Sequence, residues 1–402
     1  MSRPSPKSSI FNCIVLGDDK NRKPLNCKSI CSFPSNFKND SSKISRYLVG
    51  TCSQDCENKL FILSQPESIS EDVSILKSFG QNGAIELVSV PFFMRGEEDG
   101  CSFLTASRSL ESGLVSVNFC KFTENFENIE NLSTLISDSF FVGALAWDPH
   151  FSVRVAVSEV GEQQNYKIRF FQNLNESLVI KIEDTNSDNR EYSSFSRYFP
   201  LVFDPFHQHV AICSVGKQIF TFDVRSGGKT SAKSSDVYGH FLPITSIEAN
   251  VNVEHQLVTS GQDCRVLYWD LRKLQAGPVS ELCPLESGAH CHWITSVKLN
   301  PFHDQLVLTS GTDRKVALWR SAMQSSISLT KLAKMNLENN YAQNETTSPD
   351  SLLCCYSDLH EESVYSSCWS AECPWHWASV SFDGKVIFGE VPRSERTRIL
   401  LQ

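Results

Sequence analysis

Residues 239–270 read GHFLPITSIEANVNVEHQLVTSGQDCRVLYWD, and the polar landmarks in this stretch decide the architecture. They are His240, Thr259, Asp263 and Trp269, the last three at offsets of 19, 23 and 29 from the histidine. The same offsets return in His290, Thr309, Asp313 and Trp319, and again in His360, Ser379 and Asp383, where position 389 holds Gly instead of Trp. A spacing of 50 residues between the first two histidines marks one supersecondary unit copied in tandem. The residue types suit a shared network: a buried imidazole can donate to a carboxylate while its other nitrogen meets a hydroxyl, and that hydroxyl can accept from an indole N–H. Half-satisfied networks of this kind are costly, so offsets that recur together point to one repeated structural device rather than to unrelated surface histidines. The third copy, with Phe388 as its nearest aromatic, is expected to carry a truncated network.

The apolar positions keep the same period. Ile244, Ile294 and Val364 each follow their histidine by four residues. Leu257-Val258, Leu306-Val307-Leu308, and Ala378 with Val380 surround the Thr or Ser, and each copy closes on Val266-Leu267-Tyr268-Trp269, Val316-Ala317-Leu318-Trp319 or Val386-Ile387-Phe388. Such β-branched and aromatic runs predict half-buried strands. With Gly239-His240 and Trp269-Asp270 at its ends, the unit reads as a WD40 repeat, and a tandem of them as an all-β propeller whose ordinary work is protein binding.

Weaker units precede the clear ones. Asn300-Pro301-Phe302-His303 is matched by Asp204-Pro205-Phe206-His207 and Asp148-Pro149-His150, where Pro ends one strand and sets the turn into the next. Strand-like runs follow at Val210 to Cys213 and Ile219 to Phe222, at Val153 to Val157 and Ile168 to Phe171, and at Phe103 to Ala106 and Leu114 to Phe119. The earliest unit holds Tyr47-Leu48-Val49 and Leu60-Phe61-Ile62. If these runs are the last strands, units end near 62, 119, 171, 222, 269, 319 and 388, which predicts a seven-bladed WD40 β-propeller occupying 1–402 as a single domain. Ile10 to Leu16 is expected to supply an outer strand beside the C-terminal unit, so that the ring closes without an exposed edge. Residues 321–351, poor in large apolar side chains, read as a flexible insertion between the last two blades, with 183–196 and 123–133 as shorter polar excursions.

Composition narrows the function. Met1 to Lys7 carries Pro and Lys with no apolar core after it, and no run approaches a membrane span, so a chain of the cell interior without direct membrane insertion is expected. Fifteen cysteines then read as reduced thiols. A net charge of −9 with no basic block argues against nucleic acid as a partner. Cys27 and Cys31, with Cys52 and Cys56, form two C-x3-C pairs, but their flanks are those of a strand and a hairpin turn rather than of a zinc site. His360-Glu361-Glu362 starts like a metalloprotease helix, yet Val stands at 364 where the second His belongs. No nucleophile with a base, P-loop or dinucleotide fingerprint is present, so the expectation is no enzyme, cofactor, metal or small-molecule substrate.

The C-terminal third carries more specific motifs. His290-Cys291-His292-Trp293, His303-Asp304-Gln305-Leu306, His360-Glu361-Glu362-Ser363-Val364-Tyr365, Trp369-Ser370, Pro374-Trp375, Ala378-Ser379, Phe382-Asp383-Gly384 and Val391-Pro392-Arg393 resemble the EARP-interacting protein family, as do Tyr47-Leu48-Val49-Gly50-Thr51 and Trp269-Asp270. The resemblance is dense from about 240 onward and thin over 64–200. It implies a seven-bladed WD40 protein that binds EARP and GARP, tethering complexes of endosomal recycling and Golgi retrieval. It also implies a cytoplasmic location at endosomes or the trans-Golgi network, reached through those partners.

A propeller usually meets partners on the face built by the loops ahead of each first strand and by the turns that carry the Asp. That places Phe241, Leu242, Gln262, His292, Trp293, Thr312, Glu361, Glu362 and Phe382 on the candidate interface, with Trp293 as the sharpest anchor. Trp375 and Trp377 read as packing residues. The network residues are assigned to structure. A second reading comes from Trp269-Asp270-Leu271-Arg272 and Phe222-Asp223-Val224-Arg225: Arg272 and Arg225 fit the W-D-x-R pattern of substrate receptors of cullin-RING ubiquitin ligases. A carrier like the peroxisomal import receptors has no specific residue in its favour.

Overall fold

The computed structural model describes residues 11–17, 24–33, 44–67, 71–91, 102–123, 126–137, 139–151, 154–161, 165–182, 198–227, 230–234, 239–283, 287–321 and 350–401. These form seven four-stranded antiparallel sheets arranged as the blades of one ring. Strand β1 (Asn12–Val15) stands apart in sequence. Blade 1 is β2 (Cys27–Phe33), β3 (Ser45–Thr51), β4 (Asn58–Gln65) and β5 (Ser74–Gln81), and blade 2 is β6 (Ala84–Ser89), β7 (Ser102–Arg108), β8 (Val115–Phe122) and β9 (Ile129–Ser137). Blade 3 is β10 (Phe141–Trp147), β11 (Arg154–Val160), β12 (Tyr166–Gln172) and β13 (Asn175–Ile182), and blade 4 is β14 (Leu201–Phe203), β15 (Val210–Val215), β16 (Gln218–Asp223) and β17 (Thr230–Lys233). Blade 5 is β18 (Ile244–Ala249), β19 (Gln256–Gly261), β20 (Val266–Asp270) and β21 (Ser280–Cys283), and blade 6 is β22 (Ile294–Leu299), β23 (Leu306–Gly311), β24 (Val316–Ser321) and β25 (Asp350–Tyr356). Blade 7 takes β26 (Val364–Trp369), β27 (His376–Ser381) and β28 (Lys385–Glu390) from the C-terminus and β1 from the N-terminus. A short helix, α1 (Arg393–Leu400), follows, and no described helix is long and apolar enough to cross a membrane.

The strands are apolar on both faces because each blade is packed on both sides. Leu257, Leu267 and Trp269 of blade 5 join Ile212 and Ile219 of blade 4, while Val258, Val266 and Tyr268 of the same strands join Val297, Val307 and Trp319 of blade 6. Seven clusters of this kind each unite two neighbouring blades, the last joining Phe388 and Val386 of blade 7 to Tyr47 and Val49 of blade 1. The closing runs are therefore buried on both sides, not half-buried as their sequence pattern suggested.

A second correction concerns strand count. The runs read as the last strands of each unit are third strands, and a fourth lies outside each. These outer strands escape a periodicity reading because one edge and much of both faces meet solvent: most of β5, Ser-Ile-Leu-Lys-Ser-Phe-Gly-Gln, is exposed. Ile129–Ser133, read as part of an excursion, is the start of β9, and within 321–351 Ser321 belongs to β24 and Asp350 and Ser351 to β25. Residues 322–349, 183–196 and 1–7 lie outside the described residues.

Neighbouring blades are also tied by a repeated bulge. The ladder between first and second strands slips after Ile244, Ile294 and Val364, and at matching places in blades 1, 2 and 3. The extra residue in blades 5 and 6 is Thr245 or Thr295. A bulge re-aims its side chain, and here the hydroxyl reaches the next blade: Thr295 Oγ1 donates to the Val364 carbonyl at 2.5 Å, and Thr245 Oγ1 to the Ile294 carbonyl.

Candidate interaction surface

The repeated landmarks do form the expected network. In blade 5, His240 Nδ1 lies 2.9 Å from Asp263 Oδ1, His240 Nε2 lies 2.7 Å from Thr259 Oγ1, and the Trp269 indole N–H donates to Thr259 Oγ1 at 2.8 Å. Blade 6 repeats it with His290, Asp313, Thr309 and Trp319 at 3.2, 2.8 and 2.9 Å. The Asp does further work at the rim. Asp263 Oδ2 accepts from the Phe241 amide at 2.9 Å, Asp313 Oδ2 from the Cys291 amide at 3.0 Å, and Asp383 Oδ2 from the Glu361 amide at 3.0 Å. One buried carboxylate thus fixes both the loop ahead of a blade and the turn between its second and third strands. Burial pushes the Asp263 and Asp313 carboxyls up, but bonds from their histidines and from backbone amides outweigh it and hold both below the ordinary carboxylate range.

Blade 7 departs from the set in two linked ways. His360 Nε2 keeps its hydroxyl, Ser379 Oγ at 2.8 Å, but Nδ1 meets Ser381 Oγ at 2.8 Å, and Ser381 in turn donates to Asp383. The network is truncated at the indole, as the sequence predicts, and altered at the carboxylate, where a serine relays between the imidazole and Asp383. The bulk of the missing indole is supplied from across the ladder, but not its hydrogen bond, because Trp377 Nε1 is buried without a hydrogen-bond partner among the described residues. Leu257 pairs with Trp269 and Val307 with Trp319, whereas in blade 7 Trp377 pairs with Gly389. The large and small partners have changed strands, and a Cβ at 389 would sit 2.1 Å from Trp377 Cζ2. Trp377 is wholly buried and Trp375 stacks on His303, so both are packing residues.

Burial holds the His360 imidazole down at about 4, against roughly 6.5 in an unfolded chain. Between these values the unfolded chain binds the extra proton, so stability is lost as pH falls through this window, by at most about 1.4 kcal/mol per pH unit for one group. The depressed Asp263 and Asp313 act only below it, because their contribution is lost as pH falls beneath the ordinary carboxylate range. Urea unfolding at pH 7 and pH 5 is expected to show a loss for the wild type that is smaller by about 2 kcal/mol in His360→Gln. Equal losses in both would show that His360 does not titrate on unfolding.

The rim held by the network carries the candidate interface. Phe241 is 65% exposed and lies under the Arg265 guanidinium, 4.7 Å from ring centroid to Cζ, while Arg265 is locked by both oxygens of Glu281. Leu242 is exposed beside it. Trp293 is 38% exposed, stacks on His292 at 5.2 Å, and reaches the mouth of a central channel lined also by Gln262, Tyr365 and Lys28. His292 Nδ1 is 2.5 Å from Thr312 Oγ1, and the Thr312 amide donates to the Trp293 carbonyl. Phe382 is half-buried against Tyr365, with Glu361 and Glu362 exposed and Glu361 paired to Lys385. The candidates therefore fall into a blade 5–6 group with two exposed aromatics and a blade 7 group that is acidic. Tyr365 and Lys28 were not read as candidates, although Tyr365 occupies the same bulge position as Thr245 and Thr295.

Arg225 and Arg272 lie just after third strands, at the far end of these strands from the Asp turns. Each folds back on an Asp two residues before it: Arg225 Nη2 is 2.6 Å from Asp223 and Arg272 Nη2 is 2.8 Å from Asp270. The Arg225 guanidinium draws the Asp223 carboxyl down to about 2. Both arginines thus complete a local turn.

Comparison with known proteins adds the decisive observation. The family model for the EIPR1 β-propeller matches residues 23–319. The chain belongs to that family. The match crosses the early blades, where the resemblance in sequence motifs was thin. The chain is 32% identical over 189 residues to human EARP and GARP complex-interacting protein 1, an alignment covering 44% of this chain and 47% of that protein. It is 28% identical over 298 residues to EARP-interacting protein 1 of Caenorhabditis elegans, covering 74% and 77%. It is 36% identical over 148 residues to WD repeat-containing protein DWA2 of Arabidopsis thaliana, covering 37% and 38%. The vertebrate relatives are thus matched over less than half their own length.

Proposed function

We propose that this propeller is a non-enzymatic adaptor that binds EARP- and GARP-type tethering complexes, with Phe241, Leu242 and Trp293 as the apolar part of its docking face. The observation that carries this reading is the family's membership, whose relatives are named for that interaction, together with exposed aromatic side chains on loops that the Asp network holds in place. Preorganised aromatics lose little freedom on binding and make good anchors. The acidic pair Glu361 and Glu362 would favour a basic surface beside them. On this reading the protein sits peripherally at endosomes or the trans-Golgi network through its partners, without nucleic acid or a small-molecule substrate.

The arrangement that most resembles a catalytic triad is better read as structural. Thr259, His240 and Asp263 stand in the order of a hydrolytic triad, as do their blade 6 counterparts. Yet the Thr259 and Thr309 hydroxyls are fully buried and already accept from Trp269 and Trp319. No substrate carbonyl can reach these buried hydroxyls, each already bonded to an indole and an imidazole.

The test is affinity purification of the tagged chain from its own cells. Phe241→Ala with Trp293→Ala is expected to lower recovery of tethering-complex subunits at least tenfold, while Arg225→Ala with Arg272→Ala leaves recovery unchanged. Recovery indifferent to the aromatic pair would remove this face, and ligase adaptors lost on replacing the arginines would favour the receptor reading.

A further inference from the structure

On the turns between first and second strands, the structure places three metal-binding side chains from two blades within reach of one ion. His207 lies on the β14–β15 turn, and Glu254 and His255 lie on the β18–β19 turn. His207 Nε2 is 3.0 Å and His255 Nε2 is 3.4 Å from the same oxygen, Glu254 Oε1. All three ligand atoms lie within 4.8 Å of one another, and among the described residues no other group of His, Cys, Asp or Glu meets that condition. The two C-x3-C pairs weighed in the sequence do not form such a group.

The surroundings of His207 distinguish this cluster from a chance meeting. Asp204 is buried, and its Oδ1 accepts the amides of Phe206 and His207, which fixes the turn. Its Oδ2 lies 3.1 Å from His207 Nδ1. Two carboxylates thus flank the His207 ring, Asp204 at Nδ1 and Glu254 at Nε2. The carboxylate–imidazole–metal order is the arrangement by which a second carboxylate orients a ligating histidine and raises its basicity.

Blade pairs 6 and 7 supply an internal comparison. His303 stacks on Trp375 at 4.6 Å and 19°, as His207 stacks on His255 at 4.6 Å and 19°. Ring stacking between neighbouring turns is therefore a structural feature of this face. What the blade 4–5 pair adds is a second imidazole and a carboxylate, which are ligands, and one of the two nearly parallel rings must turn to bring both Nε2 lone pairs onto one ion.

We propose that His207, Glu254 and His255 bind one divalent transition-metal ion, with Zn2+ as the best fit, clamping blades 4 and 5 together. Two imidazoles and a carboxylate form a borderline donor set that suits Zn2+ over Mg2+ or Ca2+. Ligands around tetrahedral zinc, with bonds of about 2.0–2.1 Å, sit roughly 3.3–3.5 Å apart, close to the 3.0 and 3.4 Å seen. Glu254 is 55% exposed on its side chain, so the fourth position opens to water or to a ligand from a docked partner.

Calorimetric titration of the full-length protein with Zn2+, under reducing conditions, tests this against the background from its cysteines. The wild type is expected to take up one equivalent that Glu254→Gln and His207→Gln do not, with unchanged circular dichroism. His303→Gln should retain it. Asp204→Asn, which keeps the oxygen that caps the turn, should weaken it about tenfold. Zn2+ should raise the melting temperature of the wild type and not that of Glu254→Gln. The same stoichiometry and affinity in Glu254→Gln and His207→Gln as in the wild type, or no uptake by the wild type, overturns the proposal.

Discussion

Replacing Asp263 by Ala is expected to destabilise the protein by about 3–5 kcal/mol, the cost of removing one partner from a buried, charge-assisted pair. The change strips His240 Nδ1 of its acceptor and leaves the Phe241 amide without its bond. It also opens space where Gly261 packs against the carboxylate. Nothing nearby can compensate, because His240 is buried and its second nitrogen is already committed to Thr259. Asp263→Asn keeps an oxygen for the amide and should cost only about 1–2 kcal/mol, the difference between a charged and a neutral hydrogen bond. The blade 7 counterpart, Asp383→Ala, should cost less than Asp263→Ala, because His360 Nδ1 bonds Ser381 and keeps that partner when the carboxylate is gone. Urea denaturation of the three variants checks the order. A loss below about 1 kcal/mol for Asp263→Ala would mean that water or a repacked side chain satisfies His240, and that the network fixes loop positions without contributing to stability.

What could be read from the sequence follows from how local each signal is. The His, Thr, Asp and Trp of blades 5 and 6 lie within 29 residues of one another at constant offsets, so their meeting was legible without a structure. The N-terminal strand was legible because Ile10 to Leu16 is an apolar run where a closed ring needs an edge filled. The outer strands were not, since residues such as Ser74 and Lys77 in β5 are exposed and carry no alternation. The exchange of Trp377 and Gly389 was hidden for a different reason. Phe388 is the nearest aromatic along the chain, but the ring that fills the space is on the residue opposite in the ladder, which only register reveals. The serine relay of blade 7 rests on Ser381, where blades 5 and 6 have Gly261 and Gly311, a difference visible in the sequence but meaningless until the hydroxyl is seen between His360 and Asp383. The ligand cluster of His207, Glu254 and His255 required knowing that turns of consecutive blades touch.

Removing residues 1–18 is expected to be as damaging as breaking the core, though the segment lies at one end of the chain. β1 pairs antiparallel with β28, Asn12 opposite Phe388 through Val15 opposite Lys385, and so completes blade 7. Just beyond it, the Leu16 amide donates to the Gly384 carbonyl at 3.0 Å, and the Leu16 carbonyl accepts from Leu25 at 2.8 Å. Leu16 is fully buried in the cluster that joins blades 7 and 1, and Phe11 meets Tyr356 and Trp377 edge-on in the cluster that joins blades 6 and 7. The segment therefore holds two inter-blade cores as well as one sheet edge. Leu16→Ala alone should cost about 2–5 kcal/mol. Deletion adds the loss of Phe11 and of the ladder, which together approach the whole stability of a typical domain, about 5–15 kcal/mol. It also leaves β28 with unpaired amides and carbonyls, a template for association with other chains. The truncated protein is expected to melt at least about 10 °C lower or to be recovered as aggregate, and a synthetic peptide of residues 8–18 should restore part of the loss by occupying the empty edge. An unchanged melting temperature would show that the remaining strands of blade 7 hold the ring closed by themselves. The contrast separates two ways of closing a propeller, because a ring sealed by the chain's own first strand fails when either end is cut, whereas one sealed by packing alone fails only when its cores are breached.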